Sequence, residues 1–459
     1  MRVTSTTALI FVGALTATLA APATAGADDR GALLTRIDGL VSDSMEATQT
    51  PGVSVAIQYR GELILARGYG LADVENRVPA TEHTVYRIGS VTKQFTAAAV
   101  MKLVEEGKVA LDDPMTKYFP DYPVGEFHIT VGQLLDHTSG IKGYTEMPAF
   151  WEKGRLDLSH EQMIELFSTV PYEFEPGDRY QYNNSGYYLA GLLVEKASGK
   201  SYAEYLEETF FRPLGMRESH YLYNDPIVPN RAEGYRVEDG VLLNDQPLSM
   251  HLPFAAGALG SSVLDLVRWM VALGAGDVVG PDGLDAMTTR RRLPRGEEIG
   301  YGLGLFVGEM AGHRLIEHAG GINGFLSQLA WYPDDDLIVA VLANSGSAEP
   351  GPLQARIARA VLGVPEPDYA PVALEEEELE RYAGIYDFGR NPLPVQIKDG
   401  KLQIFGRETV PIGEHRFVGT RNQDQVAVFE VDSETGVATH LRLERWGQVQ
   451  RGQRSGGGP

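Results

Sequence analysis

The hydrophobic and polar positions of this chain change period several times along its length. Residues 53–59 and 62–67 alternate apolar and polar side chains, which predicts two strands joined as a hairpin at Arg60-Gly61. Residues 90–106 place apolar side chains at helical spacing, so we expect a helix with one buried face. The same spacing predicts further helices over residues 33–47, 161–168, 186–197, 202–210, 263–275 and 353–362.

Strand-like alternation returns in the second half of the chain. Residues 314–318, 327–332 and 337–344 have the pattern of strands, and Pro333–Asp336 predicts a turn between the last two. Strands therefore begin and end a segment whose middle is helical, an order that suits an antiparallel sheet flanked by helices. We expect an α+β domain with a helical subdomain over residues 28–362.

A second, all-β unit is predicted to follow a Pro-rich linker at residues 363–372. Short alternating segments separated by turn residues are typical of a small β barrel. We place this barrel at residues 373–452 and expect the Gly-rich tail, residues 453–459, to be disordered. The predicted barrel strands are residues 394–398, 401–405, 416–419, 426–431 and 439–446.

Residues 1–25 predict export from the cell. Arg2 is their only charged residue, and an apolar run over residues 8–21 precedes the small-residue cleavage site Ala23-Thr24-Ala25. A run this short predicts a cleaved signal peptide, because a membrane-spanning helix needs ~20 residues. No later segment approaches that length. The sequence has 0 Cys, which excludes disulfides and thiolate metal sites. Export without disulfides indicates a bacterial periplasmic or secreted protein.

Composition narrows the function classes. The chain has 459 residues, of which 43% are hydrophobic, as in ordinary soluble globular proteins. Its formal net charge is −22, which argues against a nucleic-acid partner, since binding one needs a clustered basic surface.

Ser90 and Lys93 open the helix predicted over residues 90–106 and lie one turn apart on the same face. A serine hydroxyl becomes a good nucleophile only when a neighbouring base takes its proton, and a buried lysine can be that base. The alternative is structural, because serine is a favoured helix N-cap and lysine is common in helices. The spacing alone does not decide between the two.

Tyr182 and Asn184 precede the helix predicted over residues 186–197, and residues two apart in a turn can face one pocket. Tyr182 is suited to shuttling a proton, and Asn184 to binding a substrate amide or holding Lys93. The alternative is an Asn-rich aromatic loop that caps a helix.

His318-Ala319-Gly320 ends the strand predicted over residues 314–318, and Gly321 follows it. Small residues on an edge strand let a substrate approach the backbone, whose N–H groups can bind an oxyanion. The alternative is a β-turn with a surface histidine.

Ser-x-x-Lys, Tyr-x-Asn and His-x-Gly, in this order, resemble the motifs of the serine β-lactamases and penicillin-binding peptidases. The Tyr-x-Asn form with histidine in the third motif is similar to the group of class C β-lactamases, D-alanyl-D-alanine carboxypeptidases, D-aminopeptidases and related esterases. The resemblance covers residues 33–362, and the segment from Arg381 onward resembles the lipocalin-like barrel appended to some D-aminopeptidases. Similar flanking segments are Leu134–Ile141, Phe211–Met216, Ala255–Met270 and Tyr301–Leu305.

The resemblance implies an acyl-enzyme mechanism without a metal or cofactor, on a small peptide, amide or ester substrate. Ser90 would attack a carbonyl, with Lys93 and Tyr182 as a coupled base and acid, and water would then release the acid. It also implies supporting positions: substrate binding by Asn184, His318 and Gly320, and an oxyanion hole formed by the backbone N–H groups of Ser90 and Gly321.

The third motif departs from the Lys-Thr-Gly that class C β-lactamases usually carry. Ala319 has no hydroxyl to bind a substrate carboxylate, and histidine is mostly neutral near pH 7, where lysine is charged. We therefore rank β-lactam hydrolysis below hydrolysis of peptides with D-residues or of short-chain esters, and the sequence does not decide between these two. If His318 must be neutral, activity should rise through pH ~6–7.

Other function classes fit less well. The sequence has no Gly-x-Ser-x-Gly, which an α/β-hydrolase lipase needs, and no His-Glu-x-x-His, which many zinc peptidases need. A non-catalytic binding relative is the remaining alternative. We assign His137, in the "HTSG" segment, to structure rather than to chemistry. A homo-oligomer stays an open alternative.

Overall fold

Strands from both ends of residues 52–343 form one antiparallel sheet in the computed structural model, which describes residues 25–388 and 392–455. The predicted signal peptide lies outside the described residues, apart from Ala25. The strands of this part of the chain are β1 (Gly52–Tyr59), β2 (Glu62–Asp73), β3 (Val78–Pro79), β4 (Tyr86–Arg87), β5 (His220–Tyr221), β6 (Tyr235–Glu238), β7 (Val241–Asn244), β8 (Leu259–Ser261), β9 (Phe306–Met310), β10 (His313–Ile322), β11 (Phe325–Tyr332) and β12 (Leu337–Ala343).

The main sheet has seven strands in the order β3, β2, β1, β12, β11, β10, β9. Its first and last hairpins meet where β1 pairs antiparallel with β12. The antiparallel sheet predicted from the order of the elements is therefore confirmed. Two small sheets, β4-β8-β5 and β6-β7, complete this part of the chain.

The predicted helices are also present. Those predicted over residues 161–168, 186–197 and 263–275 agree with the structure to within two residues. Within residues 25–388 and 392–455, no helix is long and apolar enough to cross a membrane. The helices are α1 (Ala25–Thr48), α2 (Thr92–Glu105), α3 (Val131–Leu135), α4 (Pro148–Glu152), α5 (His160–Ser168), α6 (Asn184–Ser198), α7 (Tyr202–Leu206), α8 (Val263–Ala275), α9 (Pro281–Thr288), α10 (Pro350–Leu362) and α11 (Glu376–Leu379).

Helices cover both faces of the sheet, as the central strand β12 shows. Successive side chains of a strand point to opposite faces. Ile338, Ala340 and Leu342 belong to the core that includes α2, α6 and α8. Val339 and Val341 belong to the core beneath α1 and α10. Every residue of β12 is buried, which explains why its sequence is continuously apolar.

The strands after residue 383 close into an eight-stranded barrel in chain order. The predicted barrel is confirmed, but its first, fourth and last strands were missed. The last strand is polar and mostly exposed, so it carries no hydrophobic alternation. It also ends at Arg454, so residues 453–454 pair in the barrel although they were predicted to belong to a disordered tail. The barrel strands are β13 (Gly384–Asp387), β14 (Leu393–Lys398), β15 (Lys401–Ile404), β16 (Arg407–Gly413), β17 (Arg416–Gly419), β18 (Gln425–Val431), β19 (Ala438–Arg445) and β20 (Gln448–Arg454).

The turn between β19 and β20 anchors the barrel on the sheet. Trp446 is 6% exposed and packs with the core beneath α1 and α10. Its carbonyl oxygen accepts a hydrogen bond of 3.0 Å from the N–H of Glu309 on β9. Gly308 permits this approach, because a Cβ there would lie 2.1 Å from the same carbonyl oxygen. The turn therefore covers the outer edge of β9, which would otherwise be an open sheet edge.

Replacing Trp446 tests this anchor. Trp446→Ala should lower the free energy of unfolding by about 3–5 kcal/mol, because it empties a buried aromatic site. Val449→Ala is the matched control, since Val449 lies on the same hairpin but is 60% exposed, and it should cost less than about 0.5 kcal/mol. Urea unfolding followed by circular dichroism measures both. Equal losses in the two variants would contradict the anchor.

Candidate active site

Ser90 lies in the 3-10 turn Gly89–Val91, which connects β4 to α2. Gly89 has a φ of +49°, in the left-handed region that favours glycine. A Cβ on Gly89 would also lie 2.8 Å from the backbone nitrogen of Gly321. The N-cap of α2 is Val91, so Ser90 does not have the capping role of the structural alternative. The turn instead presents Ser90 beside β10, half-buried.

Lys93, one turn further along the chain, is fully buried and reaches back to Ser90. Its Nζ lies 3.1 Å from Ser90 Oγ, 2.8 Å from Oδ1 of Asn184 and 2.8 Å from the carbonyl oxygen of Ala256. These three acceptors match the three donors of an ammonium group. Such contacts compensate for the burial of a charge, which is costly when unpaired. The structure therefore brings together Ser90, Lys93 and Asn184, which the sequence singled out. It adds the backbone of Ala256.

Tyr182, in the loop before α6, and Asn184, the first residue of α6, both contact Lys93. Lys93 Nζ lies 4.8 Å from the centre of the Tyr182 ring, within cation–π distance. Asn184 accepts from Lys93 through Oδ1, and its Nδ2 donates a hydrogen bond of 3.0 Å to the hydroxyl of Thr145. Both ends of the side-chain amide therefore have partners that fix its orientation. The helix cap is supplied by the neighbouring Asn183, whose side chain accepts from Gly186 N–H.

His137 positions this loop. Its Nδ1 accepts a hydrogen bond of 2.9 Å from the N–H of Asn183, and its carbonyl oxygen accepts one of 2.9 Å from the N–H of Gln181. The His137 ring lies 4.3 Å from the Tyr182 ring, centre to centre. Because Nδ1 accepts from a backbone N–H, that nitrogen carries no proton. These contacts support the structural role assigned to His137 and show that the residue it supports is Tyr182.

Strand β10 presents its outer edge to the Ser90 turn. Its pairing with β9 ends at Glu317, so residues 318–322 pair only with β11. The β10–β11 hairpin closes around Asn323-Gly324, and hydrogen-bonded pairs alternate with non-hydrogen-bonded pairs from there. In this register the N–H of Gly321 points away from β11, towards Ser90. The Gly321 N–H, one of the two predicted to form an oxyanion hole, therefore lies at the edge against which the Ser90 turn packs.

Gly320 has a different orientation. It is a hydrogen-bonded partner of Ser327 in the same alternation, so its backbone groups face β11 and not the edge. A Cβ on Gly320 would lie 1.9 Å from the carbonyl oxygen of Ile88, and the Ser327 hydroxyl donates a 2.8 Å hydrogen bond to that oxygen. Gly320 thus allows the chain before Ser90 to approach the sheet. These contacts give Gly320 a packing role, and its substrate-binding role stays a prediction.

His318 is buried rather than on the surface, with 1% exposure. Its Nδ1 lies 2.6 Å from the carbonyl oxygen of Ala319 and its Nε2 lies 3.0 Å from the hydroxyl of Tyr301. A carbonyl oxygen only accepts, so Nδ1 carries the proton and Nε2 accepts from the tyrosine. Burial, with a smaller contribution from the charge of Lys93, lowers the pKa of His318 to about 3. His318 is therefore a neutral imidazole of defined tautomer.

A family comparison agrees with this arrangement. Residues 37–363 match the model of the Beta-lactamase family. The chain belongs to the beta-lactamase family. The match begins in α1 and ends just after α10, so it contains the whole main sheet and every site residue described above.

Several known proteins and solved structures are similar to this region of the chain. Penicillin-binding protein 4* of Bacillus subtilis strain 168 is 27% identical over 300 residues, which are 62% of this chain and 66% of that protein. The chain thus matches just under two thirds of that relative's length. The octameric penicillin-binding protein homologue from Pyrococcus abyssi is 28% identical, with a TM-score of 0.67, and the alignment covers 92% of this chain and 100% of that one. The D-amino acid amidase from Ochrobactrum anthropi SV3, complexed with L-phenylalanine amide, is 27% identical, with a TM-score of 0.63, and the alignment covers 72% and 99%.

The structure adds residues that the sequence did not single out. Tyr301 was quoted only as part of a flanking segment, yet its hydroxyl is the hydrogen-bond partner of His318 Nε2. Thr145 orients Asn184, but nothing in its local sequence distinguishes it from other loop threonines. Ala256 acts through its backbone, which a side-chain motif cannot reveal. In residues 25–388 and 392–455, no three His, Asp or Glu side chains are arranged to hold a metal ion.

The expected rise of activity through pH ~6–7 is not supported for His318. That expectation assumed that the imidazole has the ordinary pKa of histidine. Because burial lowers the pKa of His318 to about 3, the imidazole is already neutral at pH 5 and does not titrate between pH 6 and 7. A rise in that range would have to come from another group.

Gly89→Ala tests the close approach at the Ser90 turn. Its matched control is Gly107→Ala, because Gly107 has a φ of +70° but no atom within 4 Å of the added Cβ. Both variants should lose about 1–2 kcal/mol of stability from backbone strain. Only Gly89→Ala should lower the rate of Ser90 labelling by a fluorophosphonate, at least 100-fold, because displacing a reacting atom by about 1 Å has that effect. Equal labelling rates would contradict the assignment.

The pH dependence of stability tests the protonation state of His318. Its pKa in the folded protein lies below the unfolded value, so the unfolded state binds more protons as the pH falls from 6.5 towards 3. Stability should therefore decline in that window, by up to about 1.4 kcal/mol per pH unit from this residue. His318→Gln should flatten the decline, as measured by urea unfolding at pH 4 to 7. A parent and variant with parallel curves would show that His318 titrates normally.

Proposed function

We propose that the protein is a serine hydrolase that cleaves amide bonds of substrates with D-residues through an acyl-enzyme on Ser90. The observation that carries this proposal is the 3.1 Å contact between Ser90 Oγ and the buried Nζ of Lys93. The reacting form is the neutral amine of Lys93, whose lone pair can accept the proton of this hydroxyl as Oγ attacks a carbonyl carbon, because the ammonium form has no lone pair. The chain's membership of the beta-lactamase family supports the same chemistry.

The proposed reaction uses the site residues in two half-reactions. Ser90 Oγ bonds to the substrate carbonyl carbon while its proton passes to the Lys93–Tyr182 pair. The N–H groups of Ser90 and Gly321 stabilise the oxyanion, and the pair then protonates the departing amine as the C–N bond breaks. Water next attacks the acyl-enzyme, the acid leaves, and Ser90 regains its proton.

The preference for D-residue amides over β-lactams rests on the third motif. Class C β-lactamases usually have a charged lysine and a hydroxyl there, whereas this chain has a neutral His318 and a methyl group at Ala319. Both differences weaken the binding of a carboxylate on that side of the cleft. The D-amino acid amidase relative, at 27% identity, supports an amide substrate of D-configuration.

A panel of substrates tests the proposal. The purified protein without residues 1–25 should hydrolyse D-alanine and D-phenylalanine amides at least tenfold faster, by kcat/KM, than their L-isomers or nitrocefin. Ser90→Ala should reduce each rate by at least 10³-fold, since removing a nucleophile has effects of this size or more. Thr92→Ala is the control, because Thr92 is buried on the same turn without a proposed step. Faster turnover of short-chain esters than of every amide would establish the esterase alternative, and nitrocefin as the best substrate would overturn the proposal.

Assembly is a separate part of the proposal. The Pyrococcus homologue is described as octameric and aligns with 92% of this chain, barrel included. This alignment supports the homo-oligomer that the sequence left open.

A further inference from the structure

Trp151 is a large aromatic residue that the fold leaves exposed. It lies in α4 and is 54% exposed, whereas the adjacent Phe150 is buried against Tyr144. The indole is nevertheless held in place. Its Nε1 donates a hydrogen bond of 2.9 Å to the carbonyl oxygen of Thr145, and its ring packs edge-on against Phe150 at 5.0 Å. A rigid, exposed aromatic surface is typical of a binding site.

Thr145 connects Trp151 to the active site. The carbonyl oxygen of Thr145 accepts from the Trp151 indole, and its hydroxyl accepts from Nδ2 of Asn184 at 3.0 Å. The two oxygens belong to one residue, so the indole nitrogen lies at most about 10 Å from the Asn184 amide. Asn184 in turn contacts Lys93. Trp151 is therefore separated from the Asn184 amide of the proposed active site by one residue, Thr145.

A second exposed apolar residue lies on the same segment. Leu156 follows Trp151 by five residues and is 55% exposed. The segment between them is tied to the chain after β7, because Arg155 donates a 2.7 Å hydrogen bond to the side chain of Gln246. The carbonyl oxygen of Gln246 accepts in turn from Asn323, in the turn that ends β10. This rim runs from α4 to the β10–β11 turn, two residues from Gly321, which lies against the turn that holds Ser90.

The surroundings of Tyr182 and Asn184 indicate which part of a substrate meets this rim. The Tyr182 ring is stacked with Phe306 at 6.3 Å and lies 6.1 Å from the His318 ring, so it faces β9 and β10. Asn184 faces Thr145 and α4 instead. In the proposed mechanism the leaving amine takes its proton from Tyr182. The leaving group therefore departs on the Tyr182 side, and the acyl group lies on the Asn184 side.

We propose that Trp151 and Leu156 form an apolar subsite for the acyl side chain of the substrate, selecting large apolar and above all aromatic groups. This inference rests on the proposed function and deepens it, since it names the substrate class within the amides and esters that Ser90 would attack. The indole provides a rigid face on which an aromatic group of the substrate can stack. Such a pair adds binding free energy to that gained from the buried apolar area.

Two esters with one leaving group test the subsite without reference to chirality. The value of kcat/KM is measured for 4-nitrophenyl acetate and 4-nitrophenyl 3-phenylpropionate, with the parent protein, Trp151→Ala, Trp151→Phe and Leu63→Ala. Leu63 is the matched control, because it is 44% exposed but lies on β2. Trp151→Ala should lower kcat/KM about tenfold for the phenylpropionate and less than twofold for the acetate. Trp151→Phe should restore most of the loss, and Leu63→Ala should change neither rate.

Three results would overturn the subsite: an unchanged phenylpropionate rate in Trp151→Ala, an equal fall for both esters, or the same selective fall in Leu63→Ala. An equal fall for both esters would mean that Trp151 only supports the fold or contacts the leaving group. A lack of preference for D-amides would contradict the proposed function alone, because neither ester has a stereocentre.

If neither ester is hydrolysed, a binding measurement on inactive variants tests the subsite instead. Calorimetry gives the Kd of 3-phenylpropionamide for Ser90→Ala and for the double variant Ser90→Ala/Trp151→Ala. The second variant should bind at least fivefold more weakly. Equal Kd values would overturn the subsite even if the hydrolytic function had already failed.

Discussion

The active-site geometry depends on the burial of one basic side chain. Lys93 is fully buried, and a buried cation is tolerated only where acceptors surround it. Ser90, Asn184 and the carbonyl oxygen of Ala256 come from three separate parts of the chain to supply them. The contacts that compensate for the lysine charge are therefore the same contacts that bring Ser90 and the Asn184 amide together.

The positive charge of Lys93 also acts on His318, in the motif His318-Ala319-Gly320. Burial and the positive charge of Lys93 both oppose a second cation, which lowers the pKa of His318 to about 3. The neutral imidazole then accepts from Tyr301 and donates to Ala319. Close backbone packing completes the arrangement, because Gly89 and Gly320 lack the Cβ atoms that would separate the Ser90 turn from β10. Electrostatics and packing thus act on the same edge of the sheet.

The barrel contacts the strand that carries this motif. Glu317, immediately before His318, is buried, and burial raises its pKa while the charge of Arg445 in the barrel opposes that rise. Gln448 of the barrel donates a 3.5 Å hydrogen bond to the Glu317 carboxylate, and Gln328 on β11 donates another. The barrel therefore stabilises β10 and also covers the edge of β9.

Local patterns predicted the elements well because helix and strand periodicity is a property of short segments. Helix α8 agrees with its prediction at both ends. Strand β20 was missed because its side chains are polar, and its place in the barrel depends on pairing with β13 and β19. The Ser-x-x-Lys and Tyr-x-Asn motifs singled out side chains that the structure brings together, yet they could not show that Gly320 packs against Ile88 while Gly321 faces the Ser90 turn. That difference follows from the pairing register.

The sequence by itself determined which side chains are available for the reaction and in which elements they lie, because motif spacing and periodicity are local. Only the tertiary structure decided their states. The tautomer and pKa of His318, the partners of Lys93 and the exposure of Trp151 depend on contacts between residues far apart in the chain. Burial and hydrogen bonding arise from those contacts, so no local pattern contains them.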